Sequence, residues 1–200
     1  MYFENLAELP VSVDLETAGM GPNSPIIAIG AVRFKPTDSC MIMNDEKINS
    51  ISHEFHVTID LKGQAPIDAD TFYWWLEQGQ VAREGALEGR GGLNLGNALR
   101  AFWQWLQADT KVIGRTSNFT GELWVRGDRD SVWLEEGFKR EGIALPYRYN
   151  HVRDQRTMVD FAEKRGVEFP LERGTLHDAL EDARYQAQCL QLVFERYPEV

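Results

Sequence analysis

Cysteine is scarce in this sequence: only Cys40 and Cys189 occur among its 200 residues. Two distant thiols provide neither a disulfide framework nor a thiolate zinc site, so we expect both to be reduced and buried. Long apolar runs are also missing, and none approaches the roughly 20 residues that a membrane helix needs. The first residues include Glu4 and Glu8, where a signal peptide would be basic and then apolar. These absences predict a cytoplasmic protein that does not enter a membrane.

An excess of positive charge is missing as well. Lysine and arginine number 21 against 31 acidic residues, and the net charge of −10 argues against a broad basic surface that coats nucleic acid. Between Arg126 and Arg156, however, basic residues outnumber acidic ones seven to six, which leaves room for a small nucleic-acid site. An acidic site accepts a polyanion when divalent cations invert its charge. The sequence has no Walker loop or dinucleotide fingerprint, which argues against a nucleotide cofactor.

The composition that remains is that of a globular protein, with 43% hydrophobic residues, and the length favours one domain over residues 1–200. Two β-rich runs, Pro10–Leu15 and Ile26–Phe34, predict a hairpin, and the alternation in Ser52–Asp60 predicts a third strand. Helices are predicted at Thr71–Gln80, along the stripe from Leu95 to Leu106, and at Asp130–Glu141, Thr157–Arg165 and Leu176–Tyr197, with further strands at Lys111–Thr116 and Tyr147–Val152. This order predicts an α/β three-layer fold, a central mixed sheet flanked by helices.

Two of the predicted helices have clear inner faces. Phe72, Trp75 and Leu76 recur at helical spacing after Asp68 or Asp70, either of which could cap the first helix. The helix at Asp130–Glu141 directs four residues inward: Trp133, Leu134, Gly137 and Phe138. It is expected to end at Gly142.

The first candidate site lies in the tract from Val13 to Thr17. On a strand, Asp14 and Glu16 project to the same face, while Val13 and Leu15 turn to the core. Two carboxylates held this close repel each other unless a hard cation lies between them, and Mg²⁺ and Mn²⁺ prefer oxygen ligands. The alternative is an exposed strand end with two solvated acids.

The second candidate site opens the last predicted helix. Five residues advance roughly 140° around a helix, so His177 and Asp182 can face one point only if His177 acts from the leading end. From there it could reach a water on a metal ion that Asp182 binds, and an unperturbed imidazole titrates near pH 6.5. The alternative is a histidine at a helix start followed by a charged surface.

Together these tracts resemble the first and last motifs of the DEDDh 3′→5′ exonucleases, which have a ribonuclease-H-like fold. The resemblance extends from Val11 to Leu192 and is closest to the group of phage exonuclease A and the mycobacterial-type exoribonucleases. Three tracts are markers of that group: Thr71–Gln78, Arg153–Thr157, and His177–Ala183 followed by Gln186 and Ala187. The resemblance implies a metal-dependent exonuclease that releases nucleoside 5′-monophosphates from the 3′ end of single-stranded DNA or RNA.

The third acidic motif departs from the family pattern. Relatives usually show Trp, a Gly three residues later, and Phe-Asp at a helix start, whereas this chain has one residue fewer after Trp124 and no Phe. Alignment on the following helix favours Asp130, with Leu134 one turn later, over Asp128. Asp130 would also suit the helix N-cap, and the two roles can coexist.

The resemblance also implies roles for these residues with two Mg²⁺ or Mn²⁺ ions, which stabilise the attacking and leaving oxygens. Asp14 would bridge the ions, Glu16 and Asp182 would bind the one that holds the nucleophilic water, and Asp130 would bind the second. His177 would be the general base. Asp154 is interpreted as a supporting residue rather than a ligand.

Substrate contacts are predicted at five residues. Trp74 is a candidate for stacking on bases, whereas Trp75, about 100° away on the helix, is expected in the core. The residues proposed to contact phosphates are Arg126, Arg153 and Arg156. Met20 would wedge against the terminal base by analogy with the family.

Two other functions compete with this reading. The irregular third motif leaves open a nucleic-acid-binding module of the same fold without turnover, and a structure-selective endonuclease is a second alternative. The Trp-rich helices would also suit a homodimer, although a monomer's core accounts for them equally well. His53 and His56 do not have the spacing of a metal pair, because three residues on a strand place them on opposite faces.

Overall fold

The computed structural model describes residues 8–36, 53–87, 92–107, 119–169 and 174–199. The described residues form five strands: β1 Val11–Thr17, β2 Ile26–Arg33, β3 Glu54–Thr58, β4 Leu123–Val125 and β5 Val152–Asp154. They also form six α-helices: α1 Ala69–Glu77, α2 Gln80–Leu87, α3 Leu95–Leu106, α4 Arg129–Arg140, α5 Gln155–Glu163 and α6 Ala179–Arg196. Within these residues, no helix combines the length and apolar character that crossing a bilayer requires.

The strands form one sheet in the order β3-β2-β1-β4-β5. Strand β2 pairs antiparallel with β1 and β3, which confirms the predicted hairpin and the third strand. Strand β4 pairs parallel with both β1 and β5. A mixed sheet flanked by helices confirms the predicted fold class and agrees with a ribonuclease-H-like fold.

Each face of the sheet has its own hydrophobic core. On one face, Val13 and Leu15 of β1 pack with residues of α3 and α4, including Leu99, Phe102 and Leu134. On the opposite face, the buried residues come from β2 and the residue that follows it, from β4 and from α6. They are Val32, Phe34, Trp124, Ala183, Ala187 and Leu190. Because side chains alternate along β1, Asp14 and Glu16 are directed to the α6 side.

Gly30 allows α6 to approach the sheet closely. It lies on β2 opposite Asp14 in the antiparallel register. A Cβ atom on Gly30 would lie 2.1 Å from the carbonyl carbon and oxygen of Ala179, the first residue of α6. Since real Cβ atoms do not approach backbone this closely, a side chain here would displace the start of α6 from β1 and β2.

Several predicted elements differ from the structure. The segment predicted as a strand at Tyr147–Val152 contains a 3₁₀ turn at Tyr149–His151, and strand β5 begins only at Val152. The short strand β4 and helix α2 have no counterpart among the predicted elements. Strand β4 has only three residues, too few for a periodic pattern. The strand predicted at Lys111–Thr116 lies outside the described residues.

The inner face predicted for α1 is wrong in part. Asp68 is the N-cap, as predicted, and accepts a hydrogen bond from Thr71 N at 2.9 Å. Of the predicted stripe, only Trp75 is buried, whereas Phe72 and Leu76 are exposed. Helix α1 buries one indole, that of Trp75, in a small core that also contains Ala18 and Ile27, with Leu61 packed against it.

The inner face predicted for α4 is confirmed, since all four of its residues are buried. The helix ends at Arg140 with Glu141 as its C-cap, and Gly142 follows with a φ of 64°. A positive φ suits glycine after a helix C-terminus, because it has no Cβ to clash with the preceding turn. Cys189 is buried, as predicted, and Cys40 lies outside the described residues.

Candidate active site

A cavity of about 270 Å³ lies beyond the carboxyl end of β1. The parallel strands β1, β4 and β5 all end on this side of the sheet, which is where open α/β sheets bind their ligands. The residues that line it are Asp14, Leu15, Glu16, Arg126, Arg129, Asp130, Trp133, Leu176, His177 and Asp182. The cavity therefore brings together all five residues that the sequence predicted as catalytic.

Strand β1 supplies two of the acids. Asp14 and Glu16 are two residues apart and project to the α6 side of the sheet, as their alternation predicted. Asp14 is partly buried, whereas Glu16 is 9% exposed. The register with β2 is irregular between Glu16 and Thr17, at the end of the strand. The two acids thus lie where the regular sheet gives way to the cavity.

Helix α4 supplies the third acid. Asp130 lies in its first turn, is 6% exposed and accepts backbone hydrogen bonds from Arg126 and Leu15. Asp128 is exposed, does not line the cavity and occupies the N-cap position without a side-chain capping bond. The structure therefore directs Asp130, and not Asp128, into the cavity.

Asp154 supports the loop that leads to Asp130. It caps α5 by accepting hydrogen bonds from the backbone N–H groups of Arg156 and Thr157. The same carboxylate accepts a hydrogen bond from Gly127 N at 2.8 Å. Gly127 has a φ of 87°, a conformation that favours glycine. One side chain therefore joins the end of β5 to the turn between β4 and α4.

Helix α6 brings His177 and Asp182 to the cavity. Asp178 caps the helix by accepting hydrogen bonds from Leu180 N and Glu181 N. His177 lies at the leading end, as predicted, but just before the helix, which begins at Ala179 and not at the predicted Leu176. His177 N donates to Asp182 Oδ2 at 3.0 Å. The backbone of His177 has a φ of 63°, which is uncommon for a residue other than glycine. The Asp182 carboxylate therefore holds the histidine backbone in an unusual conformation.

Burial of three carboxylates in one cavity raises their proton affinities. Burial, reinforced by the charges of Asp182 and Asp130, raises the pKa of Glu16 to about 8. Burial also raises the pKa of Asp130 to about 7, against backbone hydrogen bonds that lower it. For Asp14, burial and then the charges of Asp130 and Glu16 raise the pKa well above its usual range. The acids repel each other, and a bound cation would relieve that repulsion.

The donor set fits a hard divalent cation. Glu16, His177 and Asp182 each offer one ligand atom, and these atoms all lie within 4.8 Å of one another. Asp14 and Asp130 line the same cavity and add further carboxylate oxygens. Oxygen-rich sites suit Mg²⁺ and Mn²⁺, which agrees with the cofactors that the resemblance implies.

The two tryptophans of α1 differ in burial, as predicted. Trp75 is buried and donates from Nε1 to the backbone oxygen of Thr17 at 3.0 Å, next to Glu16. Trp74 is 39% exposed, and its ring meets the ring of His177 edge to face with centroids 4.7 Å apart. Trp74 is therefore an exposed aromatic surface directly beside the cavity.

The predicted phosphate contacts separate into two groups. Arg126 lines the cavity, and Arg156 lies close enough for its charge to act on Asp130. Arg153 is directed elsewhere, because it forms a salt bridge of 3.0 Å with Glu122 and does not line the cavity. Arg126 and Arg156 therefore remain candidates for phosphate contacts at this cavity, whereas the position of Arg153 does not favour that role.

Three side chains of α4 hold the turn between β1 and β2, a feature that the sequence analysis missed. Arg129 donates to the backbone oxygen of Met20 at 2.8 Å, and Trp133 donates to that of Gly21 at 2.7 Å. Arg140 donates to the backbone oxygen of Asn23 at 2.9 Å. Met20 is 60% exposed and lies on this turn. Nothing in the local sequence pairs α4 with a turn more than 100 positions earlier.

Four carboxylates and a histidine at the end of a ribonuclease-H-like sheet match the pattern of the nuclease superfamily that the sequence resembles. The family model of the 3′-5′ exoribonuclease Rv2179c-like domain matches residues 10–194. The chain therefore belongs to this family of 3′-5′ exoribonuclease domains. A search of curated proteins found no significant match.

Proposed function

We propose that this protein is a metal-dependent 3′→5′ exonuclease that removes nucleoside 5′-monophosphates from the free end of single-stranded nucleic acid. The observation that carries the proposal is the meeting of Asp14, Glu16, Asp130, Asp182 and His177 in one cavity. The family supports the exonuclease class and favours RNA over DNA as substrate.

The four carboxylates would hold the cations. Glu16 and Asp182 lie nearest to His177 and would hold one ion, Asp130 would hold a second, and Asp14 would lie between them. Two divalent ions in such a site would stabilise the charge that develops on the attacking and leaving oxygens of the phosphodiester. Their charge would also make this acidic cavity attractive to a polyanion.

His177 would take the proton from the attacking water. Its backbone is held by Asp182 Oδ2, and its ring lies against Trp74, so the imidazole is positioned on the exposed side of the cavity. His177 is half-buried, whereas Glu16 and Asp130 are buried. General-base catalysis requires access to the proton that is removed.

The substrate end would lie between Trp74 and the arginines. Trp74 would stack on a terminal base, which requires no particular sequence. Arg126 and Arg156 would contact phosphates beside Asp130, and such contacts position the strand without reading its sequence. An unpaired end is needed, because stacking on an aromatic ring requires a base that is not paired with a complementary strand.

The test compares RNA and DNA oligonucleotides of one sequence, labelled at the 5′ or the 3′ end, in Mn²⁺ and in EDTA. We expect 5′-labelled RNA to shorten progressively, 3′-labelled RNA to release a labelled mononucleotide at once, and EDTA to abolish both. A ladder that starts from the 5′ end would contradict the proposal. Cleavage of circular single-stranded RNA would instead indicate an endonuclease.

Two matched variants exclude a contaminating nuclease. Asp130→Asn should lower the rate by about 100-fold or more, because even residues that only support metal ligands cost 10- to 100-fold. Asp128→Asn, two residues away and exposed, should stay within about twofold of the wild type. Equal activity of the wild type and Asp130→Asn would mean that this cavity is not the source of cleavage. Binding of RNA without turnover by the wild type would support the inactive binding module.

A further inference from the structure

Gln186 is a buried residue of α6 that contacts the candidate active site from behind. It lies one helical turn after Asp182 and therefore on the same side of the helix. Its side chain is 2% exposed, and Nε2 donates to Asp14 Oδ1 at 2.6 Å. The residue does not line the cavity, so it reaches the site only through Asp14.

The orientation of the Gln186 amide is determined by Asp14. An ionised carboxylate only accepts hydrogen bonds, so the NH₂ group must face it and Oε1 must point away. In that direction Oε1 is buried, and no atom of the described residues forms a hydrogen bond with it. A buried acceptor without a partner is unfavourable. Contact with Asp14 therefore accounts for a polar side chain that the surrounding core does not otherwise accommodate.

The surroundings of Gln186 make this contact rigid. Ala183 and Ala187, its neighbours on α6, are buried in the core against β2 and β4. Gly30 allows the first turn of the helix to approach the sheet opposite Asp14. The amide therefore projects from a helix that is itself packed tightly against the strand pair.

We propose that Gln186 is a positioning residue that fixes the rotation of the Asp14 carboxylate, so that Oδ1 is occupied and Oδ2 is presented to the cations. This inference rests on the proposed function, because it assumes that Asp14 binds metal. Gln186 itself touches neither metal nor substrate. Its effect is to hold one ligand in the orientation that binding requires, which outer-shell partners of metal ligands commonly do.

The test measures Mn²⁺ binding by the decrease of the free-ion EPR signal, without any substrate. Gln186→Met keeps the length of the side chain and removes the donor. We expect its Kd for Mn²⁺ to be about 10- to 100-fold higher than that of the wild type. A Kd within about twofold of the wild type, in folded protein, would overturn the inference.

Gln191→Met is the matched control. Gln191 is also on α6, is 4% exposed and donates from Nε2 to a backbone oxygen, that of Lys35, at 2.8 Å. It is remote from the cavity, so the same substitution should leave the Kd for Mn²⁺ within about twofold of the wild type. An equal loss in both variants would mean that any disturbance of α6 weakens the site, and would overturn a specific role for Gln186.

Stability and kinetics separate positioning from a merely structural role. In EDTA, Gln186→Met should melt close to the wild-type temperature, because removal of the buried Oε1 offsets the loss of the Nε2 hydrogen bond to Asp14. With RNA at saturating Mn²⁺, its kcat should recover toward the wild-type value while KM for RNA stays unchanged. Should Gln186→Met fail to fold, Gln186→Asn retains the amide but retracts it by one methylene group. Its Mn²⁺ affinity should fall as well, and wild-type affinity would overturn the inference.

Failure of the proposed function is distinguishable from failure of this inference. A wild-type protein that neither binds Mn²⁺ nor cleaves RNA would contradict the proposed function, and the inference with it. A wild type that does both, together with a Gln186→Met variant that binds Mn²⁺ equally well, would contradict the inference alone.

Discussion

The two walls of the candidate active site are built in different ways. The rear wall consists of Asp14 and Glu16 on β1 and Asp130 on α4, all within regular elements of the protein core. The front wall consists of Leu176, His177 and Trp74, two of which are exposed and none of which lies in the sheet. Asp182 joins the walls, because it lines the cavity and also accepts the hydrogen bond from His177 N.

This difference suggests a division of labour between the walls. A cluster of carboxylates repels itself, so it keeps its geometry only where strands, helices and buried contacts prevent relaxation. In the proposed function, a proton acceptor and a base-stacking ring would instead have to meet solvent and substrate, and His177 and Trp74 lie before a helix start and on an exposed helix face. Changes to the front wall should therefore affect turnover and substrate binding, whereas changes to the rear wall should affect stability and metal binding.

The largest expected effect is at His177. Substitution by Asn should lower kcat by about 10²- to 10⁴-fold, the usual contribution of a general base. Asn also tolerates a positive φ, so the melting temperature should remain close to that of the wild type. Single-turnover RNA cleavage at saturating Mn²⁺ measures this effect. A variant with nearly wild-type kcat would show that another group takes the proton.

The next effect is at Trp74. Its replacement by Ala should raise KM for RNA by about 5- to 150-fold, because stacking of one base on an aromatic ring is worth about 1 to 3 kcal/mol. Tyr73→Ala is the control, since Tyr73 is 64% exposed on the same helix and makes no ring contact with His177 in the described residues. Equal KM values for the two variants would exclude stacking at Trp74 as the source of affinity.

The third effect is expected at Gly30, which lies on β2 opposite Asp14 of the rear wall. Gly30→Ala should lower the free energy of unfolding by about 1 to 3 kcal/mol, the usual cost of overpacking, because its Cβ would collide with Ala179. It should also weaken Mn²⁺ binding by moving α6 away from Asp14. Gly79→Ala is the control, since a Cβ there meets nothing within 4 Å. Urea denaturation with and without Mn²⁺ measures both effects, and unchanged values for Gly30→Ala would contradict the close approach.

The smallest expected effect is a pH dependence of the metal-free protein. The pKa of Glu16 is raised to about 8 and that of Asp130 to about 7, so these acids bind protons more tightly in the folded than in the unfolded state. Their contribution to stability is complete below the unfolded pKa values, near 4, and decreases as the pH rises through 7 and 8. The melting temperature in EDTA should therefore fall between pH 6 and pH 9.

Glu16→Gln provides the control for this pH dependence. The variant cannot ionise at position 16, so its melting temperature should fall less steeply than that of the wild type over the same range. Saturating Mn²⁺ should also flatten the wild-type profile, because cations favour the ionised carboxylates. Identical slopes for the wild type and Glu16→Gln in EDTA would contradict the raised pKa.

Much of the candidate site could be predicted because local periodicity determines it. The alternation along β1 predicts that Asp14 and Glu16 share a face, and the angle between His177 and Asp182 around a helix predicts that His177 lies at the leading end. Both were confirmed as geometry, because each depends on a few consecutive residues. Metal binding and catalysis by these residues remain predictions.

The features that were missed depend on contacts between distant segments. Phe72 and Leu76 of α1 have helical periodicity, but among the residues that the structure describes no element covers them. The local sequence does not distinguish Gly30 from other glycines in strands, because its close contact is with Ala179 at the start of α6. The hydrogen bonds from α4 to the turn that carries Met20 join residues more than 100 positions apart.

The sequence by itself therefore determined the class of fold, the order of the acidic motifs and the face of each element that carries them, because the periods of strands and helices are local properties. Only the tertiary structure decided that Asp130 and not Asp128 enters the cavity, that Gln186 reaches Asp14, and that Arg153 turns away toward Glu122. These outcomes depend on how closely separate elements pack, and packing distances are set by the whole core rather than by any one segment.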